Sequence, residues 1–536
     1  MRSIFTFVTV ALALTTSAAG AQPPLDIQWT EIPAPYTRVA SSMFGRSLAF
    51  DGTRVVIASS TPQRVDSFHW DGTSLTFEAS ATATGGDLTG FPDSVAIDGD
   101  RLLAVSHADN PAIYAFTYAT SAWTQNAMMN EPDPIVGDPV MTGIALQGTR
   151  MAVGVSYWNA ARGYFSLVRQ SGALSWTTAN ETRMIGPVDY GLYGSQVLLD
   201  GDDLLVTAIR DTVSGQQNGS VTLFHDTGTA LATLQHIVDP APNMDNQFGS
   251  DAALDATHIY VSSRYDDSGG NNAGAIYVFD RSSGAQQQAI FGTAESRLGA
   301  ALEVSGTWMV ADAPYNGSAV GTLHVYRPNA SGSWTHRNAV TAFAGRADLL
   351  FANIALSGNV VIATALQDTV DGATNAGRAW VGVMTEPDGG ACDGDTECTH
   401  GHCVSGICCN TGCSGACDVC STGTCMPMAC ADAGTDAAVV ASDAGTDAMS
   451  MPDTGVDAGP MPDGGTRTDA AASDASIHGD AAAMADDGGV ARVPLSCTCR
   501  ASGPSSSRLA LLALAWLLVV RGRRARHPID SRRSAT

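Results

Sequence analysis

The 536-residue chain contains no lysine: its 28 Lys+Arg residues are all arginine, set against 53 Asp+Glu for a formal charge of −25. That excludes lysine-centred covalent catalysis. It also leaves no basic stripe to neutralise the phosphates of a nucleic acid, so nucleic acid is not an expected partner. Compact catalytic signatures are missing as well, with no G-x-S-x-G elbow, no H-E-x-x-H zinc helix and no P-loop. His69, His107, His225, His258 and His324 fall at different phases along the chain and do not cluster in sequence.

What is present begins with an export signature. Residues 1–21 carry one cation (Arg2), an apolar run from Ile4 to Leu14 and the small-residue end Ala19-Gly20-Ala21, the features of a cleavable signal peptide. No cysteine stands at that boundary to take an N-terminal lipid.

From Phe44 to about Met384 the sequence repeats with a period of roughly fifty residues. The units open at Phe44 (FGRSLAFDGTRVVIAS), Phe91, Met141, Tyr193, Phe248 (FGSDAALDATHIYVSS), Arg297 and Leu350. Each has an F-G-like pair, a short apolar strand, a turn such as D-G or S-G, a second apolar strand, a polar loop and an aromatic third strand such as GAIYVFDR. Runs such as Arg54-Val55-Val56-Ile57-Ala58 are nearly continuous in apolar residues, which suits strands covered on both faces. The expected fold is all-β, a seven-bladed β-propeller of four-stranded blades over residues 22–386. Trp-Thr pairs mark fourth strands at Trp123, Trp176 and Trp334, and another pair, Trp29-Thr30, precedes the first repeat. The last repeat ends at Thr385-Glu386-Pro387 without one, so Leu25 to Pro33 is expected to complete the last blade and close the ring.

Through Phe44-Gly45, Phe248-Gly249, the D-G turns and strands such as Tyr277-Val278-Phe279, the units resemble the FG-GAP repeat of integrin-α-like propellers. That family often carries a D-x-D-x-D-G calcium loop, which this chain lacks. The loops Asp211–Asn218, Asp266–Asn272 and Asp368–Asn375 share an Asp start and an Asn before a glycine. Turn chemistry accounts for them without a metal. Calcium is the alternative, with Asp266, Asp267 and Asn271 as candidate ligands.

A different composition takes over after the repeats. Residues 387–430 hold Cys392, Cys398, Cys403, Cys408, Cys409, Cys413, Cys417, Cys420, Cys425 and Cys430, an even set that in an exported chain reads as five disulfides of open connectivity. Zinc, through Cys417-x-x-Cys420 with His400 and His402, is the competing reading. Residues 431–496 are rich in Asp, Ala, Gly and Pro and poor in aromatics, the composition of a disordered stalk. Residues 497–536 combine Cys497 and Cys499, an apolar run Leu509–Val520 and four arginines at 521, 523, 524 and 526. That run spans roughly 18 Å as a helix against a hydrocarbon core of ~30 Å, short for a permanent span, and the arginines would stay cytoplasmic. The cysteine module and this tail resemble those of myxobacterial surface proteins. In that family the tail directs processing and envelope anchoring near a cysteine, here Cys497 or Cys499.

Signal, propeller, spacer and anchor in series describe a display device. The expectation is a non-catalytic binding or adhesion scaffold at the cell surface, anchored in the outer envelope or released, its partner an extracellular protein or polysaccharide. Two alternatives stand beside it: a secreted hydrolase or lyase with a composite axial site, for which His107 and Asp109 are candidates, and a structural subunit of an envelope complex.

Overall fold

The computed structural model describes residues 25–426 except 108–110, 131–140, 171–175, 177–180, 214, 316–320, 342–352, 414–418 and 422. The signal sequence, stalk, Cys417, Cys430, Cys497, Cys499 and the apolar run at 509–520 lie outside the described residues. Among the described residues no helix is long and apolar enough to cross a membrane.

Seven antiparallel four-stranded sheets succeed one another along the chain. Blades 1 to 6 occupy residues 48–81, 95–130, 141–185, 193–238, 248–291 and 302–340. Blade 7 takes three strands from residues 353–385 and its fourth, Asp26–Ile32, from the start of the chain. Asp26 pairs with Thr385, Trp29 with Gly382 and Ile32 with Ala379, so the expected closure by both chain ends is what the fold contains. Each first strand packs against the first strands of both neighbouring blades, and blade 7 against blade 1, which places the first strands around the axis. The molecule is a seven-bladed β-propeller.

The burial pattern follows position in the blade. The second strand of blade 1, Arg54–Ser60, is buried along nearly its whole length. The outer strand Ala122–Asn130 alternates between exposed and half-buried residues, with one face turned to solvent. Seven apolar clusters fill the seven spaces between blades. Trp29, Trp123 and Trp334 lie in fourth strands as expected, but Trp176 precedes its strand, Glu181–Ile185, and is buried in the cluster between blades 2 and 3.

The F-G pair explains how blades are joined. Phe44 and Phe248 are fully buried plugs whose backbone N–H groups donate to the previous blade's loop, at Ala376 O (3.0 Å) and Asn218 O (2.8 Å). Gly45 (φ +99°) and Gly249 (φ +85°) then turn the chain where a Cβ would come within 2.6 Å of Thr364 Cβ and 3.1 Å of Thr207 Cβ on that blade. Tyr193 and Leu298 repeat the bond in blades 4 and 6, so the motif is an inter-blade latch whose aromatic is replaceable.

The cysteine-rich module follows blade 7, and among the described residues it holds four disulfides, Cys392–Cys403, Cys398–Cys408, Cys409–Cys420 and Cys413–Cys425. Cys420 is thus bonded to Cys409, and His400 Nδ1 pairs with Asp388 Oδ1 at 2.8 Å, so the Cys417-x-x-Cys420 zinc reading is replaced by a disulfide at Cys420. The module docks on blades 6 and 7. Trp308 Nε1 donates to Glu397 Oε1 (2.9 Å), Thr307 to Asp393 (2.7 Å) and Asn359 to Thr396 O (2.9 Å).

Candidate functional site

Thr307, Trp308 and Asn359 stand at the starts of second strands, so the module covers the face where those strands begin. The opposite face, where second strands end beside the F-G latches, is built differently. At or just beyond the second-strand ends stand Ser60, His107, Tyr157, Arg210, Tyr265, Tyr315 and Gln367; by strand register the last five are equivalent, and Ser60 and His107 stand one position earlier. Because the first strands ring the axis, this circle surrounds the axial mouth, and its composition is aromatic and basic in an acidic protein.

On blades 3 to 6 these residues form one connected group. Arg297, just before the latch of blade 6, lies over the rings of Tyr315 (4.2 Å) and Tyr265 (5.0 Å). Arg264 stacks on Tyr265 at 4.9 Å and donates through Nε to Gln247 Oε1 at 2.8 Å. Tyr157 lies within the fields of both Arg210 and Arg264, and burial pushes its phenol up. Most propeller arginines are paired with carboxylates, as Arg54 is with Glu78 and Arg281 with Asp200 and Asp203. Among the described residues Arg210, Arg264 and Arg297 have no carboxylate within ion-pair distance, and the buried Arg297 Nε has no acceptor.

Among the described residues Asp312 partly offsets the Arg264 charge. It is buried within the field of Arg264 and takes a hydrogen bond from Ala301 N. Burial pushes its carboxyl up to about 7, against that bond and the Arg264 charge. The same face exposes Tyr190 (59%), Met244 (66%) and Tyr315 (39%), ahead of the blade 4 and 5 latches and after the blade 6 second strand.

On blades 1 and 2 the circle holds a second set. His107 Nδ1 faces Asp93 Oδ2 at 3.4 Å, and Arg46 donates through Nη2 to Asp93 Oδ1 at 2.5 Å and through Nη1 to Ser60 Oγ at 3.0 Å. Burial pushes the Asp93 carboxyl up, but the His107 bond and the Arg46 charge more than offset this and hold it below the usual range. His107 therefore has Asp93 as its carboxylate, while Asp109 lies outside the described residues.

The candidate calcium loop is bonded internally. Asp266 is fully buried, with Oδ1 accepting from Ser268 N and Oδ2 from Tyr277 Oη, both at 2.7 Å. Asp267 accepts from Asn272 N (2.8 Å) and Asn243 Nδ2 (3.1 Å), and Asn271 donates to Glu295. Its sequence counterparts behave alike: Asp211 accepts from Ser220 Oγ at 2.6 Å and Asp368 pairs with Arg378 at 2.5 Å. In all three loops the Asp carbonyl accepts from the glycine N–H that opens the third strand, at Gly219, Gly274 and Gly377. Among the described residues the only trio with potential ligand atoms within 4.8 Å is Cys392, Cys398 and Cys408, whose sulfurs form disulfides.

The mouth arginines escaped motif reading because each blade contributes a different residue type about fifty positions apart. The available signal was positional and partial, since Arg210 and Arg264 follow apolar second strands while Arg297 precedes the first strand of its blade.

No family model matches the chain, and no curated protein matches it. Similar solved structures exist. A protein from Lactobacillus plantarum is 16% identical with a TM-score of 0.42, covering 59% of this chain and 89% of its own. A functionally unknown protein from Desulfotomaculum acetoxidans is 12% identical with a TM-score of 0.38, with the same coverages of 59% and 89%. A candidate 6-phosphogluconolactonase from Bacteroides uniformis is 13% identical, TM-score 0.38, covering 54% and 83%. Likeness at this level says nothing of activity, and the fold stands on the chain's own sheets.

Proposed function

We propose that the chain is an exported, surface-anchored propeller of the FG-GAP type that works as a non-catalytic binding scaffold and meets an extracellular partner at its axial mouth. The observation that supports this is the group Arg210, Arg264 and Arg297, cations without carboxylate partners, set among tyrosines on the face opposite the docked cysteine module. The stalk and sorting tail follow the module in sequence, so a display role would turn the mouth outward. Function in such folds resides in loops carried by a rigid ring.

The test is attachment of the purified full chain to the producing organism's extracellular matrix, with protease shaving of intact cells to locate the chain. Surface exposure, with attachment lost in Arg264→Gln combined with Arg297→Gln, supports the reading. Attachment unchanged by those substitutions removes the mouth from it. The Asp93–His107 pair favours a second reading, an exported hydrolase or lyase, since a buried carboxylate orienting a histidine is a general-base arrangement. Turnover of any extracellular polymer by the full chain, abolished in His107→Ala, would put that reading first.

A further inference from the structure

Resting on the scaffold reading, we propose that the mouth of blades 3 to 6 is a subsite for an acidic saccharide, its carboxylates held by Arg210, Arg264 and Arg297 and its sugar rings by the flanking tyrosines.

The argument starts from unspent donors. A guanidinium can give hydrogen bonds only in its own plane. Two tyrosine rings pack against Arg297, and among the described residues its guanidinium, including the buried Nε, has no hydrogen-bond acceptor. Arg264 spends Nε on Gln247 and has no further side-chain acceptor among the described residues. A buried donor without a partner is costly, and it persists where something outside the fold supplies the acceptor. Carboxylate oxygens match the in-plane geometry of a guanidinium fork.

The mixture of charge and ring points to a saccharide over an acidic peptide. Around the rim Tyr157 of blade 3, Arg210 of blade 4, Arg264 and Tyr265 of blade 5, and Arg297 and Tyr315 at blade 6 set three cations among three rings, every arginine acting on at least one tyrosine. A uronic-acid polymer offers the same mixture, one carboxylate per sugar ring, and sugar rings present C–H faces that lie well on aromatic rings. An acidic peptide offers carboxylates on flexible stems and nothing flat between them. Tyr315, 39% exposed, keeps surface open for such a ring.

The experiment is calorimetric titration of the full chain with tetragalacturonate, with a neutral galactose oligomer and with tetraglutamate as parallel arms, at low and at high salt. The expected result is binding of tetragalacturonate alone, weakened by salt. Arg297→Gln and, separately, Arg210→Gln should each weaken it about tenfold or more. Among the described residues the Arg210 side chain makes no hydrogen bond or ion pair, only a longer-range interaction with Tyr157, so its variant reports on the ligand even if Arg297→Gln proves unstable. Arg297→Lys, which keeps the charge and loses the fork, should recover only part of the affinity. Absence of tetragalacturonate binding, binding indifferent to both variants, or equal binding of tetraglutamate would each overturn the proposal. The scaffold reading is judged apart: matrix attachment that depends on the mouth arginines would survive failure of the saccharide arm.

Discussion

Arg327 of blade 6 donates from both terminal nitrogens to a single oxygen of Glu397, each at 3.2 Å, where only 5% and 11% of the two side chains is exposed. The guanidinium also lies 4.0 Å from the Trp308 ring, and the other Glu397 oxygen accepts from that indole. Breaking a buried pair from one side costs about 3–5 kcal/mol where the remaining charge is left uncompensated, and less here because Glu386 Oε1 stays 3.8 Å from Arg327 Nε. Glu397→Ala should therefore lower the melting temperature of the whole chain. Replacing both partners, Arg327→Met with Glu397→Leu, should cost less than Glu397→Ala alone. The check is thermal unfolding of the three proteins at equal concentration.

Reduction should act through the same contact. Four disulfides hold the module, whose short strands bury almost no apolar surface beyond the cysteines themselves. With reductant the module should open, and the propeller should lose the stabilisation that Glu397 and Asp393 confer from outside the ring. In Glu397→Ala the drop in melting temperature on reduction should shrink, since part of the coupling is already gone. A full-sized drop would show that the module stabilises the ring by another route.

Ring closure makes its own prediction. Ile32 is 1% exposed and packs into the cluster between blades 7 and 1, and its strand supplies the outer edge of blade 7. Ile32→Ala should cost about 2–4 kcal/mol by loss of burial and a residual cavity. Deleting residues 22–33 should do more, exposing the edge of Arg378–Thr385 and turning one cooperative unfolding transition into several. Denaturant unfolding followed by fluorescence and by circular dichroism would show it as transitions that no longer coincide.

How far the molecule could be read in advance follows from what repeats. Phe44-Gly45 and Phe248-Gly249 recur where a blade latches to its neighbour, and Trp29 was legible as a displaced fourth strand because the pair recurs in three other repeats, in two of which, at Trp123 and Trp334, it lies in the fourth strand. The mouth was not legible, since Tyr157, Arg210, Tyr265 and Tyr315 share a position but lie about fifty residues apart in loops of different sequence, and their convergence exists only once seven blades are wrapped around an axis. His107 was picked out, yet its partner Asp93 sits in a first-strand approach that no local spacing links to it.

Asp312 gives the protein a pH signature. Its folded value of about 7 lies above the usual carboxyl value of about 3.9, so the folded state holds the proton more tightly than the unfolded chain. Stability from this group is complete at low pH and is lost as pH rises through about 7. Asp312→Asn keeps the oxygen that accepts from Ala301 N and cannot ionise. It should therefore gain on the parent between pH 5 and pH 8, by on the order of 1–4 kcal/mol. Melting curves of both proteins across that range decide it, and parallel curves would remove Asp312 as the origin.

Calcium at the blade 5 loop is the last matter a melting curve can decide. The Asp266 carboxylate is committed to Tyr277 Oη and Ser268 N, and Asp267 to Asn272 N and Asn243. A cation drawing on both carboxylates would have to compete with these bonds. The expected outcome is that Asp266→Ala destabilises the full chain by about 1–3 kcal/mol, through the orphaned Tyr277 hydroxyl, equally in calcium and in chelator. A native-state ligand must raise the melting temperature of the parent protein. A calcium-dependent rise that disappears in Asp266→Ala with Asp267→Ala would instead assign Asp266, Asp267 and Asn271 to a metal, and would mean that the loop rearranges to release its carboxylates.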